Sequence, residues 1–142
     1  MKTFKSLRNN GQAGFSLVEL TIVVVILGVL AMMAVPRYQT AVERAKAAEA
    51  FNYLAQVEAG QERHNARTGE YAQNISQLDV KLPTPNHFSV GTFTSYDWQT
   101  QWELRLTRSG ASSGFGNYTV TWDQDGFVRS RSSLAEELIP VK

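Results

Sequence analysis

The chain has no cysteine in its 142 residues. Disulfides and thiolate zinc sites are therefore excluded, whichever compartment it occupies. Histidine is scarce too. His64 falls in a helix-forming stretch and His87 in a loop, and neither has a partner at metal-ligand spacing. No glycine-rich phosphate loop follows a strand pattern, and no nucleophile motif is present. We accordingly expect no catalysis and no cofactor. A charge excess of one sign is also missing: 14 basic and 13 acidic side chains leave a net charge of +1. Bulk charge gives no reason to expect nucleic acid or anionic lipid as a partner.

What the chain does have is one long apolar run, "FSLVELTIVVVILGVLAMMAV", from Phe15 to Val35. As a helix it would measure about 31 Å, the thickness of a hydrocarbon core. Lys2, Lys5 and Arg8 precede it, so residues before the run should stay cytoplasmic and the rest should cross outward. Glu19 is the only charge inside the run. A carboxylate at mid-bilayer costs about 2.5–3.5 kcal/mol, so its presence needs a reason. A cleavable secretory signal would usually have a shorter apolar region ending in a small-x-small site, whereas "AMMAVP" puts Met32 where a small residue is wanted. A plain single-pass anchor fits the length but leaves Glu19 unexplained.

"GFSLVEL" behind a short basic leader resembles the type IV pilin and pseudopilin signature. The resemblance is specific over Lys2–Pro36, and looser through about Leu78. It implies cleavage after Gly14, methylation of the new N-terminal amine at Phe15, and a glutamate fifth from that terminus, which is Glu19. The expected organisation is a leader over residues 1–14, a transmembrane and filament-core helix over 15–36, and a globular domain over 37–142 that includes the second half of the helix. The family also implies partners: other copies of the subunit, a prepilin peptidase, an inner-membrane assembly platform with its ATPase, and membrane lipid before assembly. Glu19 then has a physical purpose. In a water-poor core its carboxylate needs a cation, and the Phe15 amine of a neighbouring subunit supplies one. Pairing favours one axial register, because a mis-registered helix buries two unpaired charges.

Pro36 cannot donate an intrahelical hydrogen bond, so a kink is expected near it, and Gly28 weakens the same helix. In the family the stretch between such positions can lose helicity on assembly. The alternative is that membrane helices carry Gly and Pro without consequence. Helical chemistry then continues to about Thr68, with Gly69 as the C-cap. Ala47, Ala50, Phe51, Leu54 and Val57 form a stripe suited to a core. Ala41, Ala45, Ala48, Ala55 and Ala59 form a smaller-residue stripe suited to close helix packing. Glu43 with Lys46, and Glu58 with Glu62 and Arg63, read as solvated surface pairs. Gly60 reads as a weak point.

Past the helix, residues 70–95 read as a loop with one short helical turn. A half-buried strand is expected from Trp98 to Leu106, where Trp98, Thr100, Trp102, Leu104 and Leu106 alternate with Gln99, Gln101, Glu103, Arg105 and Thr107. "SGASSGFGN" is a flexible connection, and Tyr118 to Trp122 a second strand. "DQDG", Asp123–Gly126, is a hairpin turn leading to a third strand from Phe127 to about Arg131. His87 to Phe93 is the candidate for a fourth. The fold expected is α+β, a long N-terminal helix packed on an antiparallel sheet of three or four strands. Many pilus subunits close a C-terminal loop by a disulfide. This chain must close its sheet by packing and hairpin pairing.

Two further features have bland readings that we prefer. Asp123–Gly126 partly mimics a calcium loop but lacks further acidic ligands, so a plain turn is expected. Arg105, Arg108, Arg129 and Arg131 beside Trp98 and Trp102 suggest a nucleic-acid surface, yet alternation separates Arg105 from the tryptophans, and a solvated sheet face is favoured. Asn74 and Asn117 begin formal glycosylation sequons that a bacterial-type leader makes uninformative. The function expected is structural: a major or minor pilin polymerising through its N-terminal helix into an extracellular filament. A pseudopilin of secretion or DNA uptake is the alternative, and a membrane-tethered binding module is the rival of a different class.

Overall fold

The computed structural model describes residues 14–140. The expected leader lies outside the described residues except for Gly14. One helix, α1, runs Leu17–Thr68 and continues through Pro36 without a break. It stops where the sequence says it should. Gly69 adopts φ +83°, a left-handed conformation that a side chain resists, and its N–H closes on the Asn65 carbonyl at 2.7 Å. The chain divides at Pro36 into two compact units, one up to that residue and one from Arg37 onward.

The second unit holds a four-stranded antiparallel sheet of β1 (Phe88–Val90), β2 (Glu103–Arg108), β3 (Thr119–Asp123) and β4 (Gly126–Phe127), in that spatial order. Its core joins Ala47, Ala50, Leu54 and Val57 of α1 to Leu104, Leu106, Tyr118 and Val120, all buried. Each large aliphatic side chain so buried contributes roughly 1.5–3 kcal/mol. Phe51 lies at the edge of this core, edge-on to Trp122 at 5.7 Å and tilted against Phe127 at 5.0 Å. A short 3-10 turn at Ile75–Gln77 interrupts the loop after α1, as expected.

Several expectations need correction. The strand expected from Trp98 begins only at Glu103. Asp97 intervenes: its carboxylate accepts the Gln99 N–H at 3.0 Å and the Thr100 hydroxyl at 2.9 Å, while its carbonyl accepts the Gln101 N–H at 3.0 Å. These local bonds fold the segment into a turn before pairing can start. The strand expected from Phe127 to Arg131 is two residues long, β4, followed by a 3-10 turn at Arg129–Arg131. Serine hydroxyls take over from the ladder there. Ser132 Oγ accepts the Thr121 N–H and Ser133 Oγ the Thr119 N–H, both at 2.9 Å. The chain thereby stays alongside β3 and then buries Leu134 and Leu138. These bonds hold the sheet's edge without a disulfide.

Gly60 is no weak point. It is buried, and a Cβ there would stand 3.2 Å from Val80 Cγ2 and 3.4 Å from Leu78 Cδ1. The missing side chain lets the loop after α1 lie on the helix. Gln61, also fully buried, ties the same loop down: its amide accepts the Ala72 N–H at 2.7 Å and donates to the Ala72 carbonyl at 2.9 Å.

Candidate functional site

Among the described residues, the N-terminal unit is an apolar helix whose side chains lie exposed. Its most apolar 18-residue window has mean hydropathy 2.7, and none of it is buried within the molecule. Every large apolar side chain from Phe15 to Val35 is at least 46% exposed. A surface of that extent in a water-soluble protein marks an interaction or membrane face. Length and composition suffice for α1 to cross a membrane. Gly28 adds room on this helix: among the described residues, no side chain or other segment lies within 4 Å of where a Cβ would stand. Pro36 lies inside the helix, at the end of the unit.

Glu19 is positioned by Ser16. Ser16 precedes the first helical residue, and its hydroxyl accepts the Glu19 N–H at 3.2 Å. Glu19 reaches back, its Oε2 accepting the Ser16 N–H at 2.9 Å. This reciprocal pair is a capping box, and it satisfies two donors that a helix start otherwise leaves open. The Ser-x-x-Glu spacing that signals it was present in the sequence, and the family reading of Glu19 concealed it. Gly14 and Phe15 are both exposed immediately before this cap.

The acidic residues of the second half of α1 are not the solvated pairs expected. Glu43 is fully buried and accepts hydrogen bonds from Arg108 Nε at 2.6 Å, Arg108 Nη2 at 3.2 Å and the Tyr118 hydroxyl at 2.9 Å, with Lys46 Nζ at 3.5 Å. Burial opposes ionisation of Glu43, but the bonds from Arg108 and Tyr118 and the charges of Arg108 and Lys46 outweigh it, so its carboxyl titrates below the ordinary 4.5. The same burial, with Glu43 beside it, pushes the Tyr118 hydroxyl up. Glu58 accepts the Trp122 indole N–H at 2.6 Å, Glu62 the Tyr71 hydroxyl at 3.2 Å, and Arg63 donates to Asp79 at 3.1 Å. Each joins α1 to another part of the chain. His87 is likewise engaged, its Nδ1 2.9 Å from Glu49 Oε2, while Glu49 also accepts the Asn86 and His87 N–H groups.

The four arginines do not form one surface: Arg105 and Arg131 share Glu103, while Arg108 and Arg129 pair elsewhere. Arg108 is buried against Glu43 and also donates to the carbonyls of His87, Ser109 and Ala111. That contradicts a solvated face for this residue: it shares the inward parity of Leu104 and Leu106. Arg131 pairs with Glu103 and Asp123, Arg129 with Glu136, and Arg105 with Glu103. Asp123–Gly126 forms the tight connection between β3 and β4, with Gly126 at φ +101°. Its carboxylates are turned to local donors: Asp123 accepts the Asp125 N–H and an Arg131 Nη2–H, both at 2.9 Å. Beside it an open cleft of about 420 Å³ is bordered by Tyr96, Trp102, Glu103 and Arg131, and the Ser95 hydroxyl at its edge donates a hydrogen bond to the Gln101 carbonyl.

Comparison with known proteins bears on the N-terminal unit first. The family model for the prokaryotic N-terminal methylation motif matches residues 9–35. A fimbrial protein of Moraxella nonliquefaciens is 52% identical over 42 residues, which cover 30% of this chain and 27% of the relative. The chain thus aligns with about a quarter of that relative's length. A fimbrial protein of Pseudomonas aeruginosa is 28% identical over 127 residues, 88% of this chain and 70% of the relative. The type IV major pilin protein PilE1 of Neisseria gonorrhoeae is 33% identical over 75 residues, 53% of this chain and 46% of the relative. With the methylation motif on the exposed apolar helix and pilin relatives aligning into the sheet unit, the chain is similar to type IV pilins.

Proposed function

We propose that the chain is a structural subunit of a type IV pilus, held in the inner membrane as a monomer and polymerised through its N-terminal helix into an extracellular filament. The observation that carries this reading is the wholly exposed apolar helix whose only charge, Glu19, lies five residues after Gly14. Lipid covers that surface in the monomer, and neighbouring helices cover it in the filament. The basic side chains before Gly14 keep the N-terminus cytoplasmic, and the sheet unit lies outside. A prepilin peptidase cuts between Gly14 and Phe15 and methylates the Phe15 amine. That amine then pairs with Glu19 of an adjacent subunit, setting the register. The platform protein and its ATPase drive extraction from the membrane, and the Gly28–Pro36 stretch is where the helix yields during packing. The role is architectural and needs no catalysis by this chain. Relatives named as fimbrial proteins and pilins support a pilus subunit over the secretion or tether readings.

Filament yield tests it. Glu19→Ala should insert into the membrane and be processed normally, since it removes a charge from the apolar segment. Sheared filament relative to processed subunit should nevertheless fall sharply, with Glu19→Asp intermediate because it is one methylene shorter. Wild-type yield from a processed Glu19→Ala subunit would refute the pairing.

A further inference from the structure

We propose that the cleft beside the Asp123–Gly126 turn binds a neutral saccharide, which stacks on Tyr96 and gives its hydroxyls to the paired charges of Glu103, Asp123 and Arg131. The site lies wholly in the sheet unit and does not depend on filament assembly. Its volume of about 420 Å³ is that of a small-ligand pocket.

Tyr96 is wholly exposed at the cleft's border, and among the described residues its hydroxyl has no partner. Both of its neighbours are fastened. The Ser95 hydroxyl donates to the Gln101 carbonyl at 2.7 Å and accepts the Asp97 N–H at 2.9 Å, and Asp97 holds the turn through Gln101. A cross-bonded loop thus carries a large aromatic side chain that the fold itself does not use. A ligand that stacks on it has little backbone freedom to freeze.

The charges here exclude an ionic ligand. Glu103 and Asp123 are direct partners across β2 and β3, an unfavourable placement for like charges alone. Arg131 pairs with both, and Arg105 with Glu103. Two carboxylates offset by two guanidiniums leave a phosphate or an ammonium nothing to neutralise. They suit hydroxyls, because each carboxylate keeps lone pairs for a further donor. The side-chain amide of Gln101, without a partner among the described residues, adds a donor and an acceptor together. An aromatic ring beside a row of neutral and charge-balanced hydrogen-bonding groups matches a sugar, apolar on its C–H face and polar at its edge.

A second, independent observation points to a ligand. Trp102, 1% exposed, lines the cleft, and its indole N–H is the one buried side-chain donor without a hydrogen bond among the described residues. Leaving such a group unpaired costs stability, and a sugar oxygen supplies the acceptor.

The isotope-labelled full chain in phosphocholine micelles is titrated with the methyl glycosides of glucose, galactose and N-acetylglucosamine to about 50 mM, above the millimolar Kd of a weak site. At least one glycoside should shift the Trp102 indole N–H signal in a saturating way. The Trp122 indole, already bonded to Glu58 at 2.6 Å, should stay in place. Tyr96→Ala should raise Kd roughly tenfold and Tyr96→Phe by less than about threefold, because phenylalanine keeps the ring. Both should keep the wild-type urea midpoint. Gln101→Ala, which removes the free amide, should also weaken binding. No saturating shift with any glycoside overturns the proposal, and so does an unchanged Kd in both Tyr96→Ala and Gln101→Ala. Tighter binding of inorganic phosphate or of Nα-acetyl-arginine amide than of every glycoside overturns it too, since the cleft would then select a charge.

Discussion

Arg108→Met should be the most damaging single substitution in the sheet unit. It leaves the Glu43 carboxylate, fully buried, with only the Tyr118 hydroxyl at 2.9 Å and Lys46 at 3.5 Å as partners. It also strips the carbonyls of His87, Ser109 and Ala111 of a shared donor. Breaking a buried pair from one side costs about 3–5 kcal/mol. Against a total of roughly 5–15 kcal/mol for a domain, that is a fifth or more of the stability. It corresponds to a fall in Tm of about 12–25 °C for a unit of this size. All three tryptophans, Trp98, Trp102 and Trp122, lie beyond Arg37, so urea unfolding of the full chain in micelles followed by tryptophan fluorescence reports on this unit alone. The double variant Glu43→Met with Arg108→Met removes both charges and should recover about half the loss, because the three carbonyls remain without the guanidinium. A cost below about 1 kcal/mol for Arg108→Met, or strict additivity in the double variant, would refute the claim that this pair locks α1 to β2.

Acid should destabilise the same unit. Glu43, Glu49 and Asp79 each titrate below their ordinary values when folded, so the unfolded chain binds protons first. Their stabilisation should be complete at neutral pH and decline as pH falls below about 4.5 toward the lower folded values, with the urea midpoint as the measurement. Gly60→Val should lower stability by about 1–3 kcal/mol, because added carbon meets Val80 and Leu78; Gly60→Ala should be near neutral, its helix gain offset by the 3.2 Å contact. Gly91→Ala should cost about 1–3 kcal/mol, since its Cβ would stand 2.7 Å from the Arg105 carbonyl oxygen, a backbone atom that cannot swing aside. Gly14→Val should leave full-length protein in the inner membrane, checked by electrophoretic mobility, while normal filaments from it would place the cut elsewhere.

The long helix and its end were legible because they depend on local chemistry: an unbroken apolar run, an alanine-rich continuation and a glycine at the stop. The hairpin at Asp123–Gly126 was legible for the same reason. Strand limits were less so, since Asp97, Ser132 and Ser133 compete for backbone donors through side-chain bonds that alternation does not reveal. The buried pair was half legible. Glu43 and Gln61 extend the Ala47–Val57 stripe at helical spacing, and Arg108 continues the parity of Leu104 and Leu106. A charge on an apolar face reads as an edge residue until its partner is known, and here the partner is 65 residues away. The capping box at Ser16 and Glu19 needed no tertiary knowledge, only attention to a three-residue spacing.

The account rests most heavily on maturation at the N-terminus. Mass spectrometry of the N-terminal peptide, from protein expressed in a host with a prepilin peptidase, tests it directly. The account predicts a chain that begins at Phe15 with a methylated amine. An intact Met1, or a terminus anywhere other than Phe15, would contradict it.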